Sequence, residues 1–206
     1  MRARKSVLIQ LMALALAIAM SLLAWPFLPH VVPVHWGISG QPDAWGSPLI
    51  LLLMTPAVLA GTLYATLRIV RGRSVPGEAV LAGMALIAGW FVLEHGIVLG
   101  AALRMLFPVR PLIALVFGLF VGIAPILARV EQNPWFGVRT PWTLGSKRVW
   151  RETHRRTGRL WLVGGIVGSA LTMFGAPLVL VLLFLVFLAL CPVAISYGVW
   201  QKFGRP

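Results

Sequence analysis

Histidines and carboxylates are scarce in this chain, and four of them fall where they could act together. His35 and Asp43 stand eight residues apart in a proline- and glycine-rich segment, 28–48, that has no Lys or Arg. Glu94 and His95 are neighbours inside a long apolar run. An imidazole beside a carboxylate can pass a proton, hold a cation or grip a polar ligand. A spacing of eight meets no metal-ligand rule. His35, Asp43, Glu94 and His95 are therefore weak metal candidates, and no cofactor is expected. The stronger expectation is a ligand-binding surface of the outer loop and a polar cavity beneath it, using His35, Trp36, Gly40, Pro42, Asp43, Glu94 and His95. The plainer alternatives are a cap resting on the outer bilayer surface and a neutral Glu94 making one interhelical hydrogen bond. A nucleophile elbow, an H-E-x-x-H pair and a phosphate loop are all missing from the sequence, so no enzyme is expected.

A third constellation occupies 129–159, where eight Lys/Arg face two acids. From Lys147, at about 100° per residue, the cations Lys147, Arg148, Arg151, Arg155, Arg156 and Arg159 share one half of a helix. Val149, Trp150, Thr153, His154, Thr157, Leu160 and Trp161 fill the other half. The pattern predicts an amphipathic helix on the inner leaflet, capped by Ser146, that runs into a membrane span. Each cation near anionic lipid contributes on the order of 1 kcal/mol. The preceding run NPWFGVRTPWTLGS reads differently. Arg139, between Gly137 and Thr140-Pro141-Trp142, fits a fixed turn with its guanidinium over an indole, a binding surface.

The elements that must position these groups are membrane helices. Apolar residues make up 59% of the 206, with five acids in all, and mean hydropathy is +0.91. So few charges could not cover a soluble surface. The net charge of +13 then reflects cations held at the cytoplasmic face rather than direct nucleic-acid contact. Six spans are predicted, at about 6–27, 49–70, 79–103, 111–128, 160–174 and 176–199. The first follows Arg2, Arg4 and Lys5 and is long enough to be a retained anchor. With both termini inside, 16 of the 18 Lys/Arg lie on one face, Arg73 and Arg205 among them, leaving Arg104 and Arg110 outside. The expected class is thus all-α: a polytopic six-helix bundle, N-in/C-in, with an amphipathic inner-face helix before the fifth span. It reads as one membrane domain, 1–206: four spans with the outer loop in 1–128, the basic loop and interfacial helix in 129–159, and two spans with the tail in 160–206. Trp36 and Trp45 suit the interfacial belt. Pro56, Pro125 and Pro192 fall inside spans, and Gly96/Gly100, Gly118/Gly122 and Gly164/Gly168 permit close helix contact. Cys191 is the lone cysteine, so no internal disulfide is possible.

Two stretches together resemble the SdpI-type immunity proteins of bacteria. P-V-H-W-G-I-S-G-Q-P-D-A-W, from Pro33 to Trp45, is similar to the family's P-x-H-W-x-x-x-G-x-P-D signature. N-x-x-x-G-[IV]-R-T-P-W-T-L is met from Asn133 to Leu144, and V-W-x-x-T-H-R from Val149 to Arg155. The resemblance implies a protein of the cytoplasmic membrane that protects a producing cell from its own secreted antimicrobial peptide. It also implies recruitment of a small cytoplasmic repressor. By position it assigns His35, Gly40, Pro42 and Asp43 to the outer signature. Asn133, Gly137, Arg139, Thr140, Pro141, Trp142, Thr143, Trp150, Thr153 and His154 belong to the inner one. Lys147-Arg148 stand where the family often has acids. The expected partners are the bilayer with its anionic inner-face lipids, a peptide toxin and a repressor. The competing readings are a small secondary transporter or exporter working through Glu94, and a metal-dependent intramembrane enzyme.

Overall fold

A computed structural model describes residues 2–37, 39–72, 77–104 and 109–204. Arg73 and Arg205, counted above as inner-face cations, lie outside the described residues. The elements run α1 (Arg2–Ala24), a 3-10 turn (Trp25–Phe27), β1 (Val32–Trp36), β2 (Pro42–Gly46), α2 (Pro48–Val70), α3 (Glu78–Leu103), α4 (Val109–Leu127), α5 (Pro141–Gly145), α6 (Lys147–Met173) and α7 (Leu178–Phe203). Among the described residues, five helices are long and apolar enough to cross a membrane: α1, α2, α3, α4 and α7. The amphipathic segment runs into the predicted fifth span without a break, as expected, and that span is the second half of α6. After its last cation, Arg159, α6 has 14 residues left, about 21 Å of helix against a ~30 Å hydrocarbon layer.

The outer loop holds more order than its prolines and glycines imply, and adds strand to a class read as all-α. β1 and β2 pair antiparallel, with His35 opposite Ala44 and Trp36 opposite Pro42. Gly40 adopts φ +79° at the turn, a left-handed conformation that side chains disfavour. Its amide donates to Gly37 O at 2.9 Å, and Gly37 N donates to Gln41 O at 3.0 Å. Ser47 then caps α2, accepting from Leu49 N at 3.3 Å, and Pro48 starts the helix where its missing N–H costs nothing.

The chain forms two compact units, Met1–Ser74 with Met84–Leu115, and Val75–Gly83 with Val116–Pro206. In the first, Ala13, Ala17, Leu59 and Ala88 form one buried cluster and Ala24, Leu52 and Leu99 another. Alanines on α1 let the helices approach closely, and side-chain hydrogen bonds stitch them. Pro56 has no N–H for the carbonyl of Leu52 one turn earlier. Ser21 on α1 donates its hydroxyl to that carbonyl at 2.8 Å. Thr66 donates to Gln10 Oε1 at 3.0 Å.

In the second unit, one face of α6 is glycine. A Cβ on Gly165 would sit 2.7 Å from Phe117 O and from a Val121 methyl, and one on Gly158 would meet Ala124 O at 2.8 Å. One on Gly164 would strike Leu188 of α7. The expected Gly164/Gly168 contact is therefore present, whereas Gly118 and Gly100 face open space. Pro192 repeats the arrangement of Pro56: it leaves the Leu188 carbonyl without its helical donor, and Trp161 Nε1 of α6 supplies one at 2.9 Å. We expect Gly165→Ala to destabilise the protein by about 1–3 kcal/mol, because the obstructing atoms include backbone. Gly118→Ala should be neutral or stabilising by up to about 1 kcal/mol. Thermal melts of both variants in one detergent check the contrast.

Candidate functional site

The outer signature is built on the hairpin. Cross-strand pairing brings His35 and Asp43 together, Nδ1 to Oδ1 at 2.6 Å. The carboxylate oxygen only accepts, so Nδ1 carries the hydrogen and Nε2 remains to meet a ligand. Both side chains are more than half exposed, at 69% and 51%, so the pair contributes little to stability and is open to solution. Trp36 lies beside it, and its Nε1 is buried with no hydrogen-bond partner among the described residues.

Glu94 and His95 point to different partners, as adjacent helical positions must. Glu94 Oε2 accepts from Thr55 at 3.3 Å. His95 is fully buried and meets Ser21 Oγ at 2.9 Å. Ser21 thus bridges His95 on α3 and the Leu52 carbonyl on α2. Among the described residues no three His, Cys, Asp or Glu side chains gather. Of the four weak metal candidates, His35 and Asp43 meet each other, whereas Glu94 bonds Thr55 and His95 bonds Ser21.

The inner signature is a folded turn, tied residue by residue. Asn133 uses all of its side chain: Oδ1 accepts from Trp135 N and Phe136 N at 2.9 and 2.8 Å, and Nδ2 donates to Glu131 O and Phe136 O at 2.8 and 3.1 Å. Gly137, at φ +118°, follows. Any Cβ there would collide with the His154 ring. Thr140 and Thr143 form a capping box for α5, with Pro141 at its first position; Thr143 also donates to Val138 O at 2.8 Å. Trp142 packs edge-on to Tyr197 and beside Trp200, and its Nε1 donates to Ser196 at 2.9 Å. Arg139 is not over an indole: Nη1 donates to Pro134 O at 2.7 Å, and the side chain is exposed.

His154 locks this turn to α6. Its Nδ1 faces Trp150 O at 2.8 Å, and its Nε2 faces Val138 N at 2.9 Å. A carbonyl accepts and an amide donates, so only the neutral ring with Nδ1–H serves both. The ring stacks on Trp150, 4.0 Å between centroids, and Trp150 Nε1 donates to Val130 O at 2.9 Å. Val149, Trp150, Thr153, His154 and Thr157 are all buried in protein. The half-helix expected to lie on the inner leaflet is therefore covered by the chain's own turn and helices. Only the basic half is presented outward, where Glu152 pairs with Arg155 and Arg156 at 2.7 and 2.8 Å.

Sequence reasoning missed Gln132 and Ser196. Gln132 Nε2 closes the end of α5 by donating to Thr143 O and Leu144 O at 2.7 and 2.8 Å. Ser196 is 54 residues from the indole it meets, and its own surroundings are ordinary helix. No local signal marks it.

Burial pushes the His154 imidazole from its usual 6.5 down to about 4. A depressed histidine leaves the unfolded chain binding the extra proton between those values, so stability falls as pH drops through that window. The loss saturates near about 3 kcal/mol below pH ~4. Above pH ~6.5 the contribution is fully present. Denaturation midpoints taken from pH 7 to pH 4 should fall in the parent, and the slope between ~6.5 and ~4 should be shallower in His154→Gln.

The SdpI/YfhL protein family matches residues 129–198, from the turn through α6 into α7, and a domain of unknown function (DUF1648) matches residues 12–60, which include the hairpin. The chain is 28% identical over 206 residues to Immunity protein SdpI of Bacillus subtilis (strain 168), covering 96% of this chain and 97% of that one. No solved structure gives a significant match. With its apolar spanning helices, the chain is a multi-pass protein of a bacterial membrane, similar to Immunity protein SdpI along almost its whole length.

Proposed function

We propose that this chain is an immunity protein that protects its own cell from a secreted, membrane-active peptide. The observation that carries the reading is the extent of the likeness to Immunity protein SdpI, 96% of the chain, which spans both hairpin and turn. A likeness confined to apolar helices would follow from composition alone. His35 and Asp43 are the outer contacts: an exposed imidazole–carboxylate pair accepts and donates to polar groups of an amphipathic peptide, with Trp36 against its apolar side.

In this reading α6 is the fifth of six spans and both termini are inside. The turn Asn133–Thr143 and the basic face of α6 are then cytoplasmic. The exposed cations of α6, Lys147 and Arg148 among them, are then presented to a cytoplasmic partner of negative charge, such as a repressor.

Three experiments test this. Cells lacking the gene should lose survival against at least one peptide of a membrane-active panel and regain it on complementation; identical survival across the panel counts against immunity. His35→Ala should weaken the responsible peptide's binding about tenfold, the loss of one charge-assisted contact. For topology, single cysteines at His35 and Arg139, in a chain with Cys191 replaced, should react with an impermeant thiol reagent from opposite sides of the membrane. Labelling from one side alone ends the six-span reading.

A further inference from the structure

A cleft of about 340 Å³ lies under the inner turn, between Leu127 of α4, Trp161 of α6 and Ala189, Pro192 and Val193 of α7, with Arg139 at its rim. That volume falls within the range of small-molecule sites, and so does the mix of apolar walls with few polar groups. We infer that the cleft seats one anionic phospholipid, an acyl chain along its walls and the phosphate on Arg139. This is independent of the immunity reading.

Three features select that occupant. First, Ala189 and Val193 are exposed, one turn apart on α7. The medium around a spanning helix is lipid, so this edge of the cleft admits a chain from the bilayer. Second, the rim is cationic. Arg139 spends Nη1 on Pro134 O, which holds the guanidinium in place, and its remaining donors suit a phosphate. The 129–159 segment has eight cations to two acids, and Glu152 is taken up by Arg155 and Arg156. An anionic head is favoured over a zwitterionic one. Third, size excludes a peptide helix. A helix about 10 Å across would fill this volume in less than one turn, whereas an acyl chain threads it. The Trp161 wall is itself pinned by its bond to Leu188 O.

The full chain, purified in detergent and incubated with dioleoyl phosphatidylglycerol or dioleoyl phosphatidylcholine, should be examined by native mass spectrometry. One phosphatidylglycerol per chain is expected, held about tenfold more tightly than phosphatidylcholine. Arg139→Gln should remove that preference, and Ala189→Phe, which narrows the lipid-side mouth, should reduce retention of both lipids. A Lys147→Gln/Arg151→Gln variant, stripped of exposed helix charge, should behave as the parent. Equal retention of the two lipids by the parent overturns the proposal, as does undiminished retention by Ala189→Phe. Loss of preference in Lys147→Gln/Arg151→Gln as complete as in Arg139→Gln also overturns it, because the charge would then act as a diffuse surface. Should Arg139→Gln fail to fold by circular dichroism, the parent's lipid preference and the Ala189→Phe result decide.

Discussion

A proline inside a helix leaves the carbonyl one turn earlier without its N–H, and in a hydrocarbon environment no water replaces it. Two of this chain's intrahelical prolines are answered by a side chain from another helix. Pro56 frees Leu52 O, which Ser21 meets; Pro192 frees Leu188 O, which Trp161 meets. Between helices whose surfaces are as apolar as lipid, such bonds give what greasy contact lacks, a reason to adopt one rotation and depth. Ser21 passes the constraint on to His95, and Trp161 passes it on to the wall of the inner cleft.

The inner turn obeys the same rule without regular structure. Its backbone groups cannot pair in a ladder, so Asn133, Thr140, Thr143 and His154 serve as their partners. That explains why so many signature residues are small and polar. Each is matched to a particular amide or carbonyl, and Gly137 is fixed because the His154 ring occupies the space of a side chain. A turn held by neutral His154 is rigid at neutral pH, which suits a surface presented for recognition. The hairpin differs. Its His35–Asp43 pair is exposed and stabilises little.

Buried hydroxyls of Thr153 and Thr157 have no partner among the described residues. They lie on the α6 face that covers the turn, where a lone hydroxyl costs on the order of 1–3 kcal/mol. Nothing in the hydrogen-bonding pattern explains them.

The sequence by itself determined the membrane class, the helix positions and the location of the polar stretches. Long apolar runs can satisfy their backbone in lipid only as helices, and charge is excluded from them. It also gave the amphipathic pattern of α6, since helical period is a local property. What it did not determine was what that pattern faces: the apolar half reads the same whether it meets lipid or protein. Only the tertiary structure decided that Trp150 and His154 are buried under their own turn, that Arg139 bonds Pro134 rather than an indole, and that His35 and Asp43 meet across strands. For the ties between the turn and the helices, the reason is distance along the chain. Val138 and His154 are 16 residues apart and Trp142 and Ser196 are 54 apart, and no local periodicity relates residues that far removed.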